Sequence, residues 1–229
     1  GVGGDGFDDR GRDGKSFTTR RVVAIQNGRP LFNLSASFQV AEDGFEHQTG
    51  TMPEVPPPEG LRNEKELMTA TIAALPEAVQ AKIPPFMKER ATAVRPIDVR
   101  PVDPVNPLSP GVREPTKRVW FKANGALPDA PRLHQYLLAY ASDFHLLSTS
   151  MHPHGVSWMM RGMQVASLDH ALWFHRPFRF DEWMLYDMEA PTAQGYRGLS
   201  MGRWFTRDGV LVASSVQEGL IRDRRGETR

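Results

Sequence analysis

"APRLHQYLLAYASDFHLLSTS", residues 130–150, brings apolar side chains back at helical intervals. Leu133, Leu137, Tyr140, Phe144 and Leu147 fall on one stripe, which predicts an amphipathic helix. Leu138 and Leu146 lie off that stripe, so the helix is expected to be buried on more than one face. Asp129 supplies an N-cap and Pro131 sits in the first turn. "KRVWFKANG" (117–125) reads as a strand before this helix, and β-rich runs at 164–174, 183–190, 196–206 and 210–221 follow it. The last two are joined by "RDG", a hairpin turn. One long helix among antiparallel strands is an α+β architecture.

The chain also repeats part of this pattern. "RRVVAIQNGRPLFNLSASFQ" (20–39) resembles "MGRWFTRDGVLVASSVQ" (201–217): strand, Asn-Gly or Asp-Gly turn, strand, and a serine-rich end closing on Gln. The second copy is preceded by a strand, the long helix and further strands, the first by little. A duplicated unit is therefore expected about one and a half times over. The divisions that follow are an irregular segment at 1–14, a partial first repeat at 15–50, a proline linker and helix at 51–94, and a complete second repeat at 95–229. Within the third, "NEKELMTATIAALPEAVQAKI" has helical composition, with Asn63 as N-cap and Pro76 as a break. The proline-rich run 95–115 leaves room for one edge strand, "IDVRPV".

The bulk numbers exclude more than they assign. A chain of 229 residues with a formal charge of +1 has no global electrostatic reason to bind nucleic acid or an anionic membrane. Without cysteine there is no disulfide, thiolate metal site or thiol nucleophile. No apolar run approaches the ~18 residues of a membrane span, and the first residues lack a signal-peptide pattern, so a cytoplasmic location is expected. Gly1, Gly3 and Gly6 match G-x-G-x-x-G but lack the strand before and helix after that a dinucleotide site needs. "GLSMG" (198–202) matches the nucleophile elbow, yet it runs on into a strand and no histidine follows His175. Ser200 is thus rejected as a nucleophile, and its replacement by Ala is expected to be nearly silent. His152, His154, His170 and His175 read as ordinary loop and core histidines, since a zinc site wants three or four organised ligands.

Two places carry polar groups where burial is expected. Asp143 falls at the edge of the helix stripe, beside Tyr136 and Leu147. A carboxylate there is partly desolvated, and either neighbouring groups satisfy it or it does chemistry. In "QVASLDHALWFHRPF" (164–178) the even positions Ala166, Leu168, Leu172 and Phe174 are apolar, while Ser167 and Asp169 share the other face.

Together "RDGKSFTTRRVVAIQNGRPLF", "HQYLLAYASDF", "ASLDHALWFHRPF", "EWMLYD" and "DGVLVASSVQEGLIR" resemble the acyl-CoA thioesterase II family in order and spacing, over about residues 12–223. The resemblance implies a double hot-dog fold, each repeat an antiparallel sheet wrapped round a long helix, with the first repeat incomplete here. Family members carry about 80–90 further residues before the segment matching "RDGKSF". It also implies that acyl-CoA is the substrate, hydrolysed to fatty acid and CoA by a water held by Asp143, Ser167 and Gln217. Asp169 and His170 would support that trio, and neither metal nor organic cofactor would be needed. The alternative is a non-catalytic remnant that binds acyl-CoA or a partner protein. A hairpin without a helix of its own leaves Val23, Ile25, Phe32 and Leu34 partly uncovered. A homo-oligomer is therefore expected.

Overall fold

The computed structural model describes residues 5–225. The chain divides into two compact units, Gly1–His47 and Gln48–Arg229.

In the first unit, β2 (Phe17–Gln26) and β3 (Arg29–Gln39) form the expected hairpin. Asn27 and Gly28 both have positive φ, 51° and 73°, as a two-residue hairpin turn requires. The sequence reading made 1–14 irregular, but Asp5–Asp13 forms a strand, β1, antiparallel to β2. Its composition argues against a strand, yet the free backbone groups along β2 accept any extended partner. Residues 1–4, with most of the glycine motif, lie outside the described residues, as do residues 226–229 of the basic tail. Leu31, Phe32, Leu34 and Phe38 are exposed on this three-stranded sheet.

The second unit holds an antiparallel sheet in the order β4 (Ile97–Pro101), β5 (Thr116–Ala123), β8 (Met184–Gln194), β9 (Arg197–Thr206) and β10 (Leu211–Asp223). Two short strands, β6 (Met163–Ser167) and β7 (Ala171–Phe174), lie end to end along the far edge of β10. The sheet curls round α4 (Pro131–Ala141) and α5 (Leu146–Thr149), the α+β hot-dog arrangement that the resemblance implies. Val119, Phe121, Leu138, Leu146, Tyr186 and Trp204 fill the space between. Each large apolar side chain buried there contributes about 1.5–3 kcal/mol. At Gly219 the helix comes so close that an added Cβ would stand 2.5 Å from the Leu147 side chain.

The outer face of the sheet is covered too. Trp120, Trp183, Leu185 and Phe205 pack against Met52, Val55 and Leu61. Trp120 Nε1 donates to the Pro56 carbonyl at 3.0 Å, and Arg100 Nη1 donates to that of Pro58 at 2.8 Å. The proline run is thus a strap across the sheet, and the boundary between units falls at 47/48. After the strap come α1 (Glu64–Ala73), α2 (Glu77–Gln80) and α3 (Pro85–Thr92). Asn63 caps α1 in a reciprocal capping box with Glu66, and Pro76 separates α1 from α2. No helix among the described residues is long and apolar enough to cross a membrane.

The long helix departs from its expectation in three ways. Its N-cap is Ala130, with no side-chain cap, because Asp129 is turned outward to Arg179 (3.3 Å). Its buried face is His134, Leu138 and Ala141, whereas Tyr140 of the expected stripe is 60% exposed, as is the neighbouring Tyr136 at 65%. His134 belongs inside because its Nδ1 accepts the Phe180 N–H at 3.0 Å. Finally, 130–150 is not one helix. It breaks after Ala141, and His145 adopts a left-handed φ of 67° before α5 begins. Tyr186 Oη donates to the Ser142 carbonyl at 2.8 Å and takes up a group that a continuing helix would use.

Candidate active site

The strand read at 164–174 is interrupted, and the interruption builds the site. Ser167 pairs with Gly219 and Ala171 with Val216, so three residues, 168–170, face two on β10. The extra residue is a β-bulge, which bends a strand and re-aims its side chains. The Leu168 and Asp169 N–H groups both donate to the Glu218 carbonyl (3.0 and 3.3 Å). Asp169 Oδ1 accepts the Glu218 N–H at 2.8 Å. Strict alternation fails across the bulge. Ser167 shares the inner face with Gly219, and Leu172, opposite Ser215, comes to that same face. The expected apolar set of even positions is therefore split, and Asp169 acts as the clamp that holds the bulge.

Directly below lies the trio. Gln217 on β10 is two residues from Gly219 and hence on the same face. Its Nε2 donates to Asp143 Oδ1 at 2.5 Å and to Ser167 Oγ at 3.0 Å, and Ser167 Oγ reaches Asp143 Oδ1 at 3.4 Å. Three residues far apart in sequence thus meet from the turn after α4, the end of β6 and the middle of β10. Gln217 is fully buried, while Asp143 and Ser167 are exposed. The partial desolvation expected for Asp143 does not hold: the helix ends before it, and the turn lifts its carboxylate toward solvent.

His170 touches the trio only through the backbone of its neighbour. Its Nε2 lies 2.8 Å from Ser142 Oγ. Partial burial pulls the imidazole below its usual range against the pull of Asp143 and Asp169, which keeps it neutral near pH 7. Ser142 is the hub of this support. Its carbonyl is held by Tyr186, whose single hydroxyl proton is spent there, so Ser215 Oγ donates to Tyr186 Oη at 2.6 Å. Burial pushes the Tyr186 phenol well up, and it stays protonated.

A second brace lies on the other side of the turn. His145 Nε2 pairs with Glu64 Oε1 of α1 at 2.9 Å, and Glu64 Oε2 pairs with Arg95 at 3.2 Å. Beside them Lys117 Nζ donates to Ser148 Oγ at 3.1 Å, and burial pushes its ammonium down to about 8. A left-handed non-glycine residue costs about 1–3 kcal/mol and persists only where its surroundings over-determine it. The Glu64 contact supplies that determination two residues from Asp143. Sequence reading missed Ser142, Tyr186, Glu64 and His145. Only the Ser142–Asp143 adjacency offered a signal, and a helix serine is unremarkable by itself.

The remaining histidines are dispersed. His152 Nδ1 bonds the Thr116 carbonyl (3.1 Å) and His175 Nε2 bonds Ser214 Oγ (2.8 Å). Among the described residues no group of three or more His, Asp or Glu is placed to hold a metal ion. What the trio offers is a proton acceptor, Asp143, flanked by a hydroxyl and an amide N–H, all within 3.4 Å.

Comparison with known proteins shows the family of the chain. Residues 86–220 match the family model described as acyl-CoA thioesterase. Acyl-CoA thioesterase 2 of Haemophilus influenzae is 42% identical over 92% of this chain and 71% of its own length. The human acyl-coenzyme A thioesterase 8 is 40% identical over 93% of this chain and 66% of its own. The crystal structure of an acyl-CoA thioesterase II, TesB2, from Mycobacterium marinum superposes with a TM-score of 0.73 at 40% identity, covering 96% of this chain and 74% of that one.

Proposed function

Since the chain belongs to the acyl-CoA thioesterase family, we propose that it hydrolyses fatty acyl-CoA to free fatty acid and CoA. The observation that carries this reading is the convergence of Asp143, Ser167 and Gln217 at the bulge. A water lodged among them accepts the Gln217 N–H and exchanges hydrogen bonds with Ser167, which fix its attack direction. Asp143 takes its proton as the oxygen bonds to the thioester carbon. The C–S bond then breaks, and the proton passes from Asp143 to the departing CoA thiolate. A thioester is electrophilic enough for this without an acyl-enzyme, and no residue of the trio needs a metal or cofactor. Asp169 holds the bulge and His170 the Ser142 turn, so both act by placement.

Thiol release measured across acyl-CoA chain lengths tests the proposal. Turnover is expected. Retained acyl-CoA binding with no turnover would instead favour the second reading, a non-catalytic remnant that binds acyl-CoA or a partner protein.

A homo-oligomer and a cytoplasmic location belong to the same proposal. The exposed Phe32 (58%) and Leu34 (44%) on β3, with Tyr136 and Tyr140 on α4, are apolar surface that a second copy would cover. Light scattering on the 229-residue chain should give a mass above that of the 25.7 kDa monomer, and a monomer across the working concentration range would defeat it.

A further inference from the structure

Gln217 serves the trio in only one of its two amide orientations. With Nε2 toward Asp143 and Ser167 it is a double donor. Turned by 180° it sets an acceptor oxygen against the Asp143 carboxylate. The two orientations have nearly the same shape, so packing alone does not choose between them. In the observed orientation Oε1 points into the interior, fully buried and without a hydrogen-bond partner among the described residues.

The residue directly opposite Gln217 in the β9–β10 ladder is Ser200. It too is fully buried, and its Oγ is likewise buried without a partner. Directly opposed residues of an antiparallel pair carry their side chains on the same face, with Cβ atoms about 4.5–5.5 Å apart. A donor and an acceptor, each missing its complement, thus face the same interior space from adjacent strands. Leaving both unmade loses the solvation of each with no return, which native interiors rarely tolerate.

We propose that Ser200 is a positioning residue whose hydroxyl donates, through one buried water or after rotation of its side chain, to Gln217 Oε1 and thereby holds the amide N–H groups toward Asp143 and Ser167. The proposal rests on the functional reading above for its effect on turnover, but not for the hydrogen bond itself. It also reverses the expectation that replacing Ser200 is silent. The serine of the failed elbow motif has a different task from the one the motif names.

The test combines turnover with a direct readout of the amide. Ser200→Ala should lower kcat about 10-fold, the equivalent of ~1.4 kcal/mol, with KM little changed because no substrate contact is touched. Ser200→Thr, which keeps the hydroxyl, should recover most of the rate. In a Gln217→Ala background Ser200→Ala should change kcat less than twofold, since the group it orients is gone. The side-chain amide resonances of Gln217, assigned by their loss in Gln217→Ala, should shift in Ser200→Ala and hold in Ser200→Thr. Unmoved resonances in Ser200→Ala, or an equal loss of rate in both backgrounds, would overturn the proposal. Shifted resonances in a protein with no turnover would uphold the hydrogen bond and count against the thioesterase reading alone.

Discussion

Asp143→Asn should lower kcat for acyl-CoA hydrolysis by about 10²-fold or more, with a much smaller change in KM. The substitution keeps the shape and an acceptor oxygen at the position Gln217 Nε2 addresses, 2.5 Å away. What it removes is the capacity to take the water's proton. Gln217→Ala removes the donor that aims the water and should cost a comparable factor through lost orientation. Thiol release under saturating acyl-CoA reads both, and a near-wild-type rate for Asp143→Asn would sink the mechanism. Asp143 is exposed, so the rate of its variant is not clouded by a collapsed core.

Gly202→Ala should lose stability heavily, although a methyl is the smallest possible addition. A Cβ at this position would overlap the Tyr186 ring. Tyr186 cannot move aside cheaply: it stacks on Trp204 at 4.0 Å and 16°, and its hydroxyl is tied to the Ser142 carbonyl and to Ser215. Overpacking of this kind costs about 1–3 kcal/mol. The midpoint of thermal unfolding should fall by several degrees, at roughly 2–4 °C per kcal/mol for a domain of this size. Turnover should fall as well, because Tyr186 anchors the turn that presents Asp143. An unchanged unfolding midpoint would show that the ring yields freely and that the turn does not depend on it.

These two experiments probe parts of the molecule that were unequally visible in the sequence. The Asn63 cap, the Pro76 break, the Asn27-Gly28 hairpin and the edge strand at 97–101 were legible because each depends on a local residue with a fixed conformational preference. The family resemblance picked out Asp143, Ser167 and Gln217, which the fold brings together. The break at His145 was not legible. Nothing in "YASDFHLL" disfavours a helix, and the determinants, Tyr186 and Glu64, lie 41 residues after and 81 residues before it. The strand at 5–13 was hidden for the opposite reason: it is selected by an open sheet edge, to which its own composition contributes little. The bulge escaped because a single extra residue leaves a run of β-rich composition looking unbroken.

That extra residue makes the 163–174 edge a ladder with a phase slip. On the C-terminal side of the slip even-numbered side chains point inward, and on the N-terminal side odd-numbered ones do. The two halves are therefore registered to β10 independently, and only Asp169, clipped to the Glu218 backbone, records where one phase ends and the other begins. Removing any one residue from 168–170 would restore a continuous ladder and put its two halves in phase. Ser167 would stay opposite Gly219 and every atom of the trio would still be encoded in the chain, but the bend with which the bulge aims the residues around it would be gone. Chemistry at this edge is thus written in the count of residues as much as in their identity.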